Sequence, residues 1–356
     1  MNILSIIMLV FAVLGAIDRI IGNRFGLGKE FEKCFLLLGT MALSMVGMIV
    51  ISPIIADLLS PFFNLLYRIT GIDPSVVPAV LFANDMGGAP LAKEIAKNEA
   101  IGLFNALVVS SMMGATISFT LPLSLTIVKK RHHNELFLGI LCGIMTIPAG
   151  CFVGGLMLKI PLISLLFNLL PLIIFSIIVG LGILFAPNIA VKFFSFIAVT
   201  LKALITVGLI LGILEALTGK TLIKGLGDVF EASNICFNAS MVLAGAFPFM
   251  HIVSRILKRP ITALAKKLEI ERVSALGLIS NLVTNTTTIE MMNDMDKKGI
   301  VLNGAFIVSA AFLFGGHLAF TMAFDADYVA AVIVSKLISG VSALFVATMV
   351  YKKTVK

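Results

Sequence analysis

The sequence predicts an all-α polytopic membrane protein, with about nine transmembrane helices and two re-entrant or broken helical hairpins in an inverted-repeat transporter architecture. Three observations lead there. Of the 356 residues, 59% are hydrophobic and 13% charged, against about 25% charged in a soluble domain. Apolar runs of the ~20 residues that a helix needs to cross a ~30 Å hydrocarbon core recur along the chain, in place of the weak alternation of a barrel. Two further apolar segments break at polar tips after about ten residues, too few to cross and suited to re-entrant helices.

The expected crossings are 3–21, 34–55, 100–124, 136–158, 161–186, 193–215, 234–253, 300–323 and 328–350, and the interrupted segments are 74–97 and 273–297. The first crossing lacks the positive leading region of a secretory signal and ends at Asp18 and Arg19, so it reads as a retained span. The four cysteines, Cys34, Cys142, Cys151 and Cys236, lie singly in apolar runs without metal-ligand or disulfide spacing, and read as packing residues. Trp is absent, so 27 Phe supply nearly all the aromatic surface.

The net charge of +8 does not point to nucleic acid, because the Lys and Arg sit in short connections rather than on a basic helix. They report topology instead, since Lys and Arg accumulate in cytoplasmic loops. With both interrupted segments returning to the side they entered from, the connections divide the positive residues 19 to 6; with both crossing, 14 to 11. The uneven split selects nine crossings, an outside N-terminus and a cytoplasmic C-terminus.

A shift of 198 residues places IDPSVVPAVLFAND beside IERVSALGLISNLV, Asn105 beside Asn303 and Ser111 beside Ser309. It divides the chain into unit one at 1–158, a linker span at 159–190 and unit two at 191–356. An odd linker span turns the second unit upside down, and inverted repeats place a substrate near the midplane, where broken helices offer free backbone groups.

Ionisable groups inside a membrane cost ~2.5–3.5 kcal/mol or more and tend to face a cavity. Asp85 qualifies at the first tip, beside Asn84 and followed by Gly87 and Gly88, which let a ligand approach the backbone; an exposed Asx turn is its bland alternative. At the second tip, Asn281, Asn285, Thr286, Thr287 and Thr288 lead to Glu290, an amide and hydroxyl set suited to a small donor-rich solute. Asn105 and Asn303 follow each hairpin and read as ligands to the tips or the substrate, or as interhelical glue. His317 reads as a packing histidine, with a proton relay as the alternative; Lys202 and Lys336 lie inside spans, to pair with acids or reach an interface. Gly150 with Gly154 and Gly208 with Gly212 mark close helix contacts. No zinc helix, nucleophile elbow or P-loop is present in the sequence, which argues against an enzyme or an ATP-driven pump. No cofactor or metal is expected.

NDMGGAPLAKE with the preceding PAVLFA, TNTTTIEMMNDMDKKGIVLNGAF in the second unit and the basic start IDRIIGNRFGLGKEFEKCF resemble the ethanolamine-utilisation permease family, EutH, over essentially the whole chain. The resemblance implies a multi-pass protein of the bacterial inner membrane through which ethanolamine enters cells that degrade it with a cobalamin-dependent lyase in a microcompartment. Its partners would be the lipid bilayer and a small amine, with H⁺ or Na⁺ as candidate coupling ions and a homo-oligomer as a candidate assembly. Alternatives are an ion-coupled carrier of another small amine or amino acid, and a facilitative channel.

Overall fold

The computed structural model describes residues 3–220, 222–256 and 258–354, and among them the regular elements are all helical. Lys356 and the side chains of Lys258 and Arg259, which enter the charge count, lie outside the described residues. In chain order the helices are α1 (Ile3–Ile20), α2 (Leu27–Thr70), α3 (Val76–Leu81), α4 (Gly88–Ile95), α5 (Glu99–Ile127) and α6 (His133–Met157). Next comes α7 (Leu162–Phe185). After it follow α8 (Pro187–Thr218), α9 (Val229–Ile256), α10 (Lys258–Leu268), α11 (Arg272–Asn281), α12 (Asn285–Met291), α13 (Lys297–Ala310), α14 (Gly316–Phe324) and α15 (Val329–Thr354).

Among the described residues eight helices are long and apolar enough to cross a membrane, and they coincide with eight of the nine expected spans. The ninth interval, 300–323, is helical but split: α13 ends at Ala310 and α14 begins at Gly316. Between them Phe312 takes a left-handed backbone, φ +58°, a conformation that costs a residue with a Cβ roughly 1–2 kcal/mol. The second helix is longer than the expected 34–55. It runs for 44 residues through Pro53 and Pro61, about 66 Å at 1.5 Å per residue.

Burial divides the helices into an inner and an outer set. Phe104, Ala106, Leu107, Val108, Val109 and Met112 of α5 are fully buried, so α5 is enclosed by protein. By contrast, α1, α7 and α8 leave large apolar side chains uncovered, among them Leu9, Ile163 and Phe196, as a lipid-facing surface does. The expected small-residue contacts are present. A Cβ at Gly150 or Gly154 would overlap Ser335, and one at Gly208 would overlap the Gly47 carbonyl. These are places where two helix backbones meet, α6 on α15 and α8 on α2.

The 198-residue periodicity recurs in element boundaries. Displaced by 198, Thr70 at the end of α2 falls on Leu268 at the end of α10, and Glu99 at the start of α5 falls on Lys297 at the start of α13. Gly71 and Glu269, one residue beyond those ends, both have positive φ. Asn98 caps α5 by accepting from the Ile101 N–H, and Asp296 caps α13 by accepting from the Gly299 N–H, each satisfying an orphan helix donor.

Candidate functional site

The first tip forms where α3 stops. Phe82 and Ala83 turn extended, so the Phe82 carbonyl and Ala83 N–H leave the helical ladder and need partners. The centre of α5 supplies them. Ser110 Oγ donates to the Phe82 carbonyl at 2.6 Å, and Ser118 Oγ accepts from Ala83 N–H at 3.0 Å while donating to the Gly114 carbonyl. This part of α5, Asn105–Gly114 and Thr116–Thr120, is wound as π-helix, a rare form found disproportionately at functional sites. A Cβ at Gly88 or Gly114 would overlap the Phe82 carbonyl, and Gly87 has φ +106°, so the tip requires glycine for two separate reasons.

Within this tip Asn84 is fully buried, and both polar atoms of its side chain lack a hydrogen-bond partner. Leaving such a group unpaired costs about 1–3 kcal/mol. Asp85 follows with its side chain 28% exposed and Oδ1 3.9 Å from His317 Nε2. His317 Nδ1 lies 3.2 Å from Lys336 Nζ, which donates to the Ser111 carbonyl at 2.7 Å. His317 and Lys336 are almost wholly buried.

The second tip meets the same region from another direction. The N–H of Phe312 donates to the Asn281 carbonyl at 3.1 Å, and that of Phe314 to the Leu282 carbonyl at 2.7 Å. Gly315 packs on the Val283 carbonyl, with no room there for a Cβ. The Phe312 ring lies 4.8 Å from the His317 ring. The break between α13 and α14 therefore touches both tips, the second through its backbone and the first through His317.

The other expected site residues separate into two groups. Asn281 and Asn285 are buried at the second tip; the Asn281 side chain has no partner, and Asn285 donates to Thr120 Oγ1 but leaves its oxygen unpaired. Thr287 is exposed, Thr286 half-buried, and Thr288 Oγ1 is occupied by the Gly277 carbonyl. Glu290 is exposed, at the end of α12 beside Asn293, which accepts from Lys129 N–H. Asn105 and Asn303 sit at the hairpin bases. The first exchanges hydrogen bonds with Asn168 and donates to Ser75, and the second donates to the Ser274 and Gly299 carbonyls.

Two cavities approach the tips. One, of about 510 Å³, lies among α2, α5 and α8 and reaches the first tip at Met86 and Ser118, with Lys202 on its wall. The other, of about 380 Å³, is bounded by Glu30, Lys33 and His251 on one side and by Ser280, Thr284 and Thr287 on the other. The structure also brings His317 and Lys336, distant from the first tip in sequence, into a row beside Asp85. A lysine inside an apolar span was the available signal, because such a charge needs a buried partner.

Membrane-crossing helices enclosing two interrupted hairpins, with unpaired amides and a carboxylate at their tips, define a multi-pass membrane transport protein. The family model described as ethanolamine utilisation protein, EutH, matches residues 1–350, and the chain belongs to that family. A protein of Listeria monocytogenes serotype 1/2a (strain 10403S), named probable ethanolamine permease EutH, is 39% identical over 355 residues, covering 100% of this chain and 95% of its own. The Escherichia coli (strain K12) protein of the same name is 36% identical over 390 residues, covering 99% and 96%. A Bacillus subtilis (strain 168) protein, uncharacterized protein YxeR, is 34% identical over 337 residues, covering 95% and 91%. No solved structure matches the chain.

Proposed function

We propose that this protein carries ethanolamine across the bacterial inner membrane, binding it between the two hairpin tips. The observation that carries this reading is the adjacency, in one tip, of the Asp85 carboxylate and the buried Asn84, whose side-chain amide has no partner among the described residues. Ethanolamine at neutral pH is a small cation with one hydroxyl. A carboxylate supplies the charge-assisted bond to its ammonium, and an amide with free donor and acceptor reads its hydroxyl. Asn281, likewise unpartnered, offers a second amide from the other hairpin. Relatives aligned over at least 95% of both chains and named probable ethanolamine permeases support the choice of substrate.

The two units 1–158 and 191–356, joined by α7, are read as an inverted repeat, with the first hairpin entering from outside and the second from the cytoplasm. The 19 to 6 division of positive residues supports that orientation, and the matching caps at Asn98 and Asp296 support the repeat. Access then alternates by movement of one unit against the other around the tips. Uptake of labelled ethanolamine into proteoliposomes at mildly acid pH, where free-base diffusion is slow, tests the function. The reading expects uptake that saturates and exceeds that of protein-free vesicles; equal uptake contradicts it.

A further inference from the structure

Lys336 is a charged side chain that substrate binding does not use. It is 1% exposed, inside α15, and a buried cation persists only with compensating partners. The titratable groups facing it are Asp85 from the first tip, His317 from α14 and the Cys151 thiol from α6; the Ser111 carbonyl of α5 completes its surroundings. Asp85 is thus the only carboxylate among the described residues that faces it, and it is also the group assigned to the substrate. With Lys336 protonated and donating to His317 Nδ1, the imidazole carries its own proton on Nε2, the atom 3.9 Å from Asp85 Oδ1. A line of donors thus runs from Lys336 to His317 Nε2 and faces the Asp85 carboxylate across a 3.9 Å gap that a small movement or one water closes.

We propose that Lys336, His317 and Asp85 form a proton-exchange line, and that each ethanolammonium entering the site displaces one proton, so that transport is electroneutral. Without substrate, Lys336⁺ and Asp85⁻ balance. A second cation would leave one uncompensated positive charge in a buried site. Loss of one proton restores the balance: the Nζ proton passes to His317 Nδ1, the Nε2 proton passes to an Asp85 carboxylate oxygen, and Asp85 releases it to water. The imidazole ends neutral with its proton on the opposite nitrogen and regains its first tautomer when the line reloads. Lys336 is then a neutral amine, and Asp85⁻ holds the ammonium. Release of the substrate reverses the steps. The inference rests on the ethanolamine reading and specifies its coupling.

The test uses the full-length protein in proteoliposomes containing a pH dye, with the potential set by potassium and valinomycin. The expected result is uptake that does not accumulate under an inside-negative potential of about 100 mV, with a lumen that alkalinises by about one proton per ethanolammonium taken up. Electrogenic entry of the cation alone would instead accumulate it about 50-fold at that potential without alkalinisation, overturning the exchange but leaving the carrier. Uptake equal to protein-free vesicles overturns both. Lys336→Met and Lys336→Arg, the latter unable to release its proton, are expected to abolish substrate-driven alkalinisation in protein that still elutes as a single species. Wild-type alkalinisation in both would remove Lys336 from the line.

Discussion

The backbone N–H of Phe312 donates to the carbonyl of Asn281 at 3.1 Å, while the side-chain amide of the same Asn281 is buried without a partner. The second tip is thus fastened to the break in the span through its main chain, and its side chain is left for something else. A purely structural asparagine would be expected to use its amide.

That contrast separates function from stability. Asn281→Leu removes an unpaired buried amide of similar size, so thermal stability in detergent should hold or rise by a few degrees. Ethanolamine uptake should fall about tenfold, equivalent to one lost hydrogen bond of about 1.4 kcal/mol. Parallel loss of stability and uptake would give Asn281 a packing role.

Gly88→Ala tests the fit of the first tip against α5. The new methyl would overlap the Phe82 carbonyl and Ser110 Oγ, and overpacking of this kind costs about 1–3 kcal/mol. A lowered unfolding temperature is expected, together with reduced uptake per folded molecule. Ala89→Gly, at a neighbouring buried position without such an overlap, is expected to retain uptake.

The base of the second hairpin is pH-sensitive in a defined direction. Lys298 Nζ donates to Glu269 Oε2 at 2.8 Å, and this bond and charge hold the Glu269 carboxyl below its ordinary range. A depressed carboxyl contributes stability above its unfolded value, near pH ~4.3, that disappears as pH falls through the folded one. Because Glu269 is largely solvent-exposed, the contribution is small. Glu269→Gln should be slightly less heat-stable than the parent at pH 6, with the difference gone well below pH 4; thermal scans across that range measure it.

Opposite entry of the two hairpins is read by labelling. Lys97 and Lys297 are exposed at the bases of the first and second hairpins, and the four native cysteines are buried. An impermeant maleimide applied to intact cells should modify Lys97→Cys and reach Lys297→Cys only after permeabilisation. Modification of both from outside would contradict the inverted arrangement.

Much of this organisation was legible in the sequence because it rests on local chemistry. Apolar length fixed eight spans, and Asn84-Asp85 before two glycines marked a tip. The split at 311–315 was not read. FLFGGH remains apolar enough to resemble a continuing helix, and its opening depends on carbonyls of Asn281 and Leu282 about 30 residues away. The same reason hid the Asp85, His317 and Lys336 line, whose members come together only through packing of α14 and α15 on the first tip. Asn105 and Asn303 were legible as a matched pair, but their place at the bases follows from Ser75 and Ser274, which pattern alone does not bring to them.

The most direct test of the central claim is ethanolamine uptake by Asp85→Asn, reconstituted at the same abundance as the parent. Replacing the carboxylate by a neutral amide removes a charge-assisted bond of about 1.5–3 kcal/mol, so uptake at subsaturating substrate should fall roughly 10- to 100-fold. Unchanged uptake would contradict the assignment of the amine to Asp85.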